Sequence, residues 1–231
     1  MSNLSREAVG RAAIDLADAE GIEAVSMRKV AARMGVGTMS LYHYVRTKED
    51  LFSLMGNAIM GEFLVPPEEM PDDWRGGLRA IALRTKAAFD RHPWMLLGML
   101  QGEEGPPGEN VMRHGNQTFG TLAAFDLPPA ERLHLTGTVD EYVMGHVFRK
   151  QVERIEQEQQ EHFGDDMKTW FEDVIASGEF PHFRALFGER DPTADDAFAF
   201  FQEMDAIDRF EQGLDLVLDG IGVALARHGA A

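Results

Sequence analysis

The chain contains no cysteine, which excludes a disulfide framework, a thiolate metal site and a cysteine nucleophile. No apolar run approaches the ~18 residues that a membrane-spanning helix needs. The first residues also lack a basic stretch followed by an apolar one. A cytoplasmic protein with no membrane partner is the expectation. Strand alternation between turn signals is missing, and so are an internal repeat, a nucleophile elbow, a phosphate-binding glycine loop and a redox pair. Apolar residues recur instead at three- and four-residue spacing, so the expected fold class is all-α. Positive charge is scarce as well: 22 Lys and Arg stand against 39 Asp and Glu, a formal net charge of −17.

That charge is unevenly placed. Residues 1–50 hold 7 basic and 7 acidic side chains, and residues 51–231 hold 15 and 32. All the excess acid therefore lies beyond residue 50. Arg28, Lys29, Arg33, Arg46 and Lys48 gather within one short stretch. A locally basic surface on an acidic body still attracts phosphate, and the remaining acid discourages unspecific wrapping by nucleic acid.

The same stretch, Ser26 to Lys48 (SMRKVAARMGVGTMSLYHYVRTK), carries the most specific pattern in the chain. Ser26 is placed to cap a helix, with Val25 and Val30 as its hydrophobic staple. Val30, Ala31 and Met34 supply apolar contacts, and Gly35 follows as a left-handed stop. Val36 reads as a buried turn residue, Gly37 as the reversal and Thr38 as the start of a second helix, in which Leu41 and Val45 face inward. Thr38, Met39, Ser40, Tyr42 and His43 remain on its outer side. Two short helices joined by a tight turn present side chains to DNA base edges. A plain helical hairpin is the bland alternative. The flanks argue against it: Leu4 and Val9 staple a preceding helix around Ser5 that Gly21 ends, and Thr47 with Asp50 opens a following helix carrying Leu51, Leu54, Met55 and Ile59.

EGIEAVSMRKVAARMGVGTMSLYHYVRTKEDLFSLM resembles the DNA-binding region of the TetR family of transcriptional regulators, through the Gly21 turn, Ser26-Met27-Arg28, the alanine pair, Gly35-Val36, Leu41-Tyr42 and Lys48 with Leu51. The resemblance covers roughly the first quarter of the chain, and RFEQGLDLVLDGIGVAL is similar to the last helix of many members. It implies a homodimer on a double-stranded DNA operator, a small-molecule effector, and backbone contacts at the positions of Tyr42 and Lys48. From the residues themselves, Arg28 reaches a guanine edge or a phosphate. Thr38, Ser40 and His43 are candidates for base edges, Met39 for a thymine methyl group, and Tyr42 and Lys48 for phosphate. Tyr44 packs inside on the simplest reading.

VPPEEMPDD, residues 65–73, marks the expected boundary between a DNA-binding domain, 1–64 with its connecting helix 48–64, and a helical effector-binding and dimerisation domain, 65–231. Expected helices run from Trp74 to Arg91, Trp94 to Leu100, Asn110 to Phe125, Ala130 to about Gln160, Met167 to Ala176, Ala194 to Phe201 and about Asp205 to Arg227. QGEEGPPGEN reads as a loop. In the last helix Leu214, Val217, Leu218, Ile221 and Leu225 form an apolar stripe, with Gly213 and Gly220 allowing close approach. A two-fold interface formed by this stripe with the helix from Arg132 to Lys150 is favoured over packing within one chain.

Methionine and aromatic residues suit an adaptable pocket for an apolar ligand. Trp94, Met95, Met99, Met112, Phe119, Tyr142, Met144, His146, Trp170 and Phe171 are the candidates. Trp94, Met99, Met112, Phe119, Tyr142, His146 and Trp170 are taken as ligand contacts, with Tyr142 and His146 as polar anchors four residues apart and His114 as a third. A helical metal-dependent enzyme is the competing reading, from Asp140, Glu141, His146 and Asp165-Asp166. Adjacent Asp140 and Glu141 diverge on a helix, and no Glu-x-x-His pair occurs on two helices, so no enzyme, metal site or cofactor is expected. A constitutive DNA-binding protein without effector is the other alternative.

Overall fold

The computed structural model describes residues 4–100, 106–159, 165–187, 192–206 and 209–229. Among these residues the regular structure is helical throughout. Chain compactness defines two units, one of residues 1–151 with 214–231 and one of residues 152–213.

The first unit opens with α1 (Arg6–Glu20), capped by Ser5, whose hydroxyl accepts from the Ala8 amide, and closed at Gly21 with φ +84°. A 3-10 turn over Ile22–Ala24 leads to α2 (Met27–Met34), where Ser26 accepts from the Lys29 amide. Gly35 stops α2 in the left-handed conformation, φ +68°. Gly37 has an ordinary φ of −70°, so the reversal rests on Gly35 alone. Val36 is only half-buried. The next helix, α3 (Thr38–Leu41), is a single turn, and Tyr44 and Val45 close back onto the Leu41 carbonyl at 2.8 and 2.9 Å. Val45 thus reaches the core beside Leu41, both fully buried, without a full helix between them.

The longer α4 (Lys48–Phe63) starts with the reciprocal cap of Thr47 and Asp50. Along one side it packs on α1, where Gly10 lets the backbone of Leu54 come close. Along the other it packs on α5 (Trp74–Arg91) and α7 (Glu109–Gly120). Residues 65–73 lie inside this unit, as a 3-10 turn over Pro67–Glu69. Gln117 clasps the backbone of Val65 from both sides, donating to its carbonyl at 2.6 Å and accepting from its amide at 3.1 Å. Short α6 (Trp94–Leu100) follows α5. The helix expected from Asn110 to Phe125 ends at Gly120, and residues 121–125 continue as turns. Long α8 (Pro129–Gln159) lies in this unit as far as residue 151.

The second unit holds α9 (Asp165–Ala176), α10 (Pro181–Arg184) and α11 (Ala194–Ala206). Phe171, Phe183, Phe187 and Phe200 pack ring against ring through it, with centroids 6.1, 5.7 and 5.2 Å apart along the chain of contacts. Pro181 at a first helical turn starts α10, an element that the sequence pattern did not suggest. Asp205 belongs to α11, and the final helix, α12 (Phe210–Gly229), begins later than expected. The part of α12 from Leu214 onward returns to the first unit. There Arg75 and Arg79 of α5 hold Asp215 at 3.4 and 2.5 Å. Residues 101–105 of the expected loop, and Gln160 at the expected end of α8, lie outside the described residues.

Candidate nucleic-acid interface and ligand cavity

Gly35 and the Ser26 cap fix how α2 meets α3, and the outer residues follow from that. Met39 is 76% exposed and Tyr42 44%. His43, Arg28 and Lys48 are exposed, while Thr38 and Ser40 are half-buried. Arg6 of α1 donates to the Tyr44 carbonyl at 2.6 Å and so pins the end of the α3 segment. Tyr44 is half-buried. Lys48 occupies the first position of α4, at the positive end of a sixteen-residue helix that favours an anion. Its ammonium lies 4.7 Å from the centre of the Phe52 ring. Met39, Tyr42, His43 and Lys48, within ten residues of one another, are therefore all open to solvent.

Phe52 has a second role. It lines a cavity of about 450 Å3 inside the first unit, walled by α4, α5, α6, α7 and α8 and reached by Ile22. From α4 come Phe52, Met55, Ile59, Met60 and Phe63; from α5, Thr85 and Phe89; from α6, Trp94, Met95 and Met99. Val111 and His114 of α7 and Asp140 and Met144 of α8 complete most of the wall. The His114 ring stands edge-on to Phe63 with centroids 5.6 Å apart, and its Nδ1 is buried without a partner. Burial pushes the His114 pKa down, so the ring is uncharged at neutral pH. Thr85 Oγ1 is also buried and unpartnered. Desolvation raises the pKa of Asp140, although one side of the residue is open to solvent.

Of the expected ligand contacts, the cavity brings together Trp94 and Met99. Met112 and Phe119 point outward from α7, 76% and 41% exposed, while Val111 and His114 of the same helix face in. Tyr142 and His146 are not wall residues. On α8 the wall is made by Asp140 and Met144, and a helix turns about 200° in two residues, which carries Tyr142 and His146 to a different face. Trp170 belongs to α9 in the second unit and is 58% exposed. The contribution of α4 was missed. Its signal was present: Leu51, Met55 and Ile59 make one stripe, and Phe52, Met60 and Phe63 make a second, as expected of a helix buried on two sides.

A polar link joins α1, α4 and α6 beside the cavity. Asp18 of α1 accepts from Trp94 Nε1 at 2.6 Å and lies 2.7 Å from His92 Nδ1. His92 Nε2 is 3.4 Å from both carboxylate oxygens of Glu62 on α4, which also pairs with Arg91. His92 as a whole is 3% exposed.

The α12 stripe belongs to this chain's own core. Leu214, Leu218, Ile221 and Leu225 are 0–4% exposed, so they are not available to a partner, and Val217 is half-buried. Leu216 and Val223 are 73% and 56% exposed, with open space at Gly220 between them. On α8, Leu133 and Phe148 are 60% and 50% exposed, with open space at Gly137 and Gly145.

Among the described residues, no helix is long and apolar enough to cross a membrane, and no three His, Asp or Glu side chains gather to hold a metal ion.

Comparison with known proteins gives two matching family models. Residues 11–55 match the bacterial regulatory proteins of the tetR family, and residues 66–225 match the tetracyclin repressor-like C-terminal domain. The HTH-type transcriptional repressor DrrR1 of Streptomyces coeruleorubidus is 32% identical over 231 residues, 97% of this chain and 80% of that protein. The Streptomyces coelicolor TetR family protein ActR in complex with actinorhodin has a TM-score of 0.64 at 21% identity, covering 97% of this chain and 98% of the other. BioQ with its natural double-stranded DNA operator has a TM-score of 0.57 at 16% identity, covering 96% and 99%. At such identities the two structures speak to the fold.

Proposed function

The chain belongs to the TetR family of bacterial regulatory proteins, and on that premise we propose that it is a cytoplasmic, homodimeric transcriptional repressor released from its operator by a small, largely apolar molecule. Residues 1–64 read the DNA, and residues 65–231 sense the ligand and form the dimer. Two copies of α3 enter successive major grooves of a near-palindromic site, about 34–36 Å apart. Thr38, Met39, Ser40 and His43 meet base edges; Arg28, Tyr42 and Lys48 anchor the backbone.

One observation carries the ligand response. The same helix, α4, presents Lys48 to the DNA side and Phe52 to the cavity, with the ammonium of one over the ring of the other. A ligand that displaces Phe52 or Trp94 acts on Lys48 directly and on α1 through Asp18. For this to switch binding, ligand must prefer the DNA-incompetent arrangement, and DNA must weaken ligand binding by the same factor.

The supporting experiment is selection from a randomised duplex library at moderate salt, followed by band shift of the enriched sequence. An inverted repeat bound by a dimer supports the reading. Failure to enrich any sequence, with and without cavity ligands, would sink it.

A further inference from the structure

The cavity wall has a charge pattern that narrows the class of ligand, and this step rests on reading the cavity as the effector site. Among the described wall side chains Asp140 is the one acidic group and no Lys or Arg is present, while burial lowers the pKa of His114. Asp140 has no hydrogen-bond or ion-pair partner among the described residues. The rest of the described wall is mostly apolar, with Phe52, Phe63, Phe89, Trp94 and several methionines beside Ile22, Ile59 and Val111, and its other polar side chains, Ser53, Asn57 and Thr85, are neutral.

We propose that the cavity takes a lipophilic cation, an aromatic body bearing a protonated nitrogen that pairs with Asp140. Three ligand classes separate on this wall. An anion would face a carboxylate with no compensating positive side chain. A neutral ligand without a hydrogen-bond donor would displace water from Asp140 and return nothing, so the desolvation already felt by that carboxyl would grow. A cation returns the lost solvation as an ion pair and places its edge against ring faces whose quadrupoles attract positive charge. A cavity of about 450 Å3 falls in the usual size range for a drug-sized molecule.

The test is calorimetric titration of the full-length protein without DNA at pH 8, using three tricyclic probes of like shape: 9-aminoacridine as the cation, acridine as the neutral form and anthracene-9-carboxylate as the anion. The expected order is cation, neutral, anion, with the cation favoured over acridine by about tenfold, the scale of a partly desolvated cation–π contact reinforced by an ion pair. Asp140→Asn removes that preference and leaves the acridine affinity in place, which also reports that the variant is folded. Met144→Trp, which fills the wall one turn from Asp140, weakens all three. Equal affinities for cation and neutral probe overturn the proposal, as do a preference that survives in Asp140→Asn or binding unchanged by Met144→Trp. If an operator is found but the preference is absent, only the cation class falls. If the preference is present but no operator emerges, the regulatory reading falls and the site stands.

Discussion

Thr85 and His114 show how the cavity costs the folded state something. A buried hydroxyl without a protein partner costs about 1–3 kcal/mol where water does not reach it, and Thr85 Oγ1 has no protein partner on a residue 7% exposed. Thr85→Val keeps the branched shape and removes the polar atom. We expect it to stabilise the ligand-free protein by about 1 kcal/mol, raising Tm by about 2–4 °C for a chain of this size. A lowered midpoint in thermal or urea unfolding would show that the hydroxyl is satisfied in solution. His114 gives a pH signature. Its folded pKa is depressed by burial, so the unfolded chain takes up the proton first. Its contribution to stability is present above the ordinary imidazole value of about 6.5 and is lost as pH falls below it. Replacing His114 with Leu should therefore shrink the fall in Tm between pH 7.5 and 5.5; an equal fall in both proteins would assign the acid sensitivity elsewhere.

At the scale of elements, the proposed switch rests on α4, which carries Lys48 at its first position and Phe52 in the cavity wall. Lys48→Ala is expected to weaken operator binding across sequences and to reduce the slope of log K against log salt by about 1, the signature of one lost phosphate contact. An unchanged slope would place Lys48 off the backbone. Asp18→Asn breaks the charge of the link from α1 to His92 and Trp94. It should leave operator affinity near that of the parent and reduce the ligand-induced loss of binding; a variant that releases as fully as the parent would remove this link from the coupling. Much at this scale could be read in the sequence, because it is local. Ser5, Ser26 and Thr47 cap the helices they were expected to cap, and Gly21 and Gly35 end theirs in positive φ. The short α3 could not be read, since Leu41 and Val45 keep helical spacing across a turn that is no longer α-helical. Nor could the cavity wall: its residues come from five helices, Ile22 and residues 106–108, and only their packing tells which turn of α8 faces in. The four-residue spacing of Tyr142 and His146 puts them on one face of a helix, but spacing does not give the rotation of that helix about its axis.

For the whole molecule the decisive surface is the one that makes two copies into a DNA reader. The stripe Leu214, Leu218, Ile221 and Leu225 was visible as a helix face, yet a sequence does not say whether such a face meets its own chain or another. Burial against this chain answers that for these four. What remains for a partner is the opposite side of α12, Leu216, Gly220 and Val223, at intervals of four and three residues, and the run Leu133, Gly137, Gly145 and Phe148 on α8. Both rows place open glycines between large exposed apolar groups, so two helices can approach closely and bury the flanking side chains. Leu216→Glu would put a carboxylate into that contact while leaving the chain's own core untouched. We expect a monomer of parental helix content, with operator binding lost because a single α3 contacts only one half-site. Sedimentation or light scattering distinguishes the cases. A dimer that persists in both Leu216→Glu and Val223→Glu moves the two-fold axis elsewhere, whereas a misfolded variant, detected by circular dichroism, would show that this face also serves the chain itself.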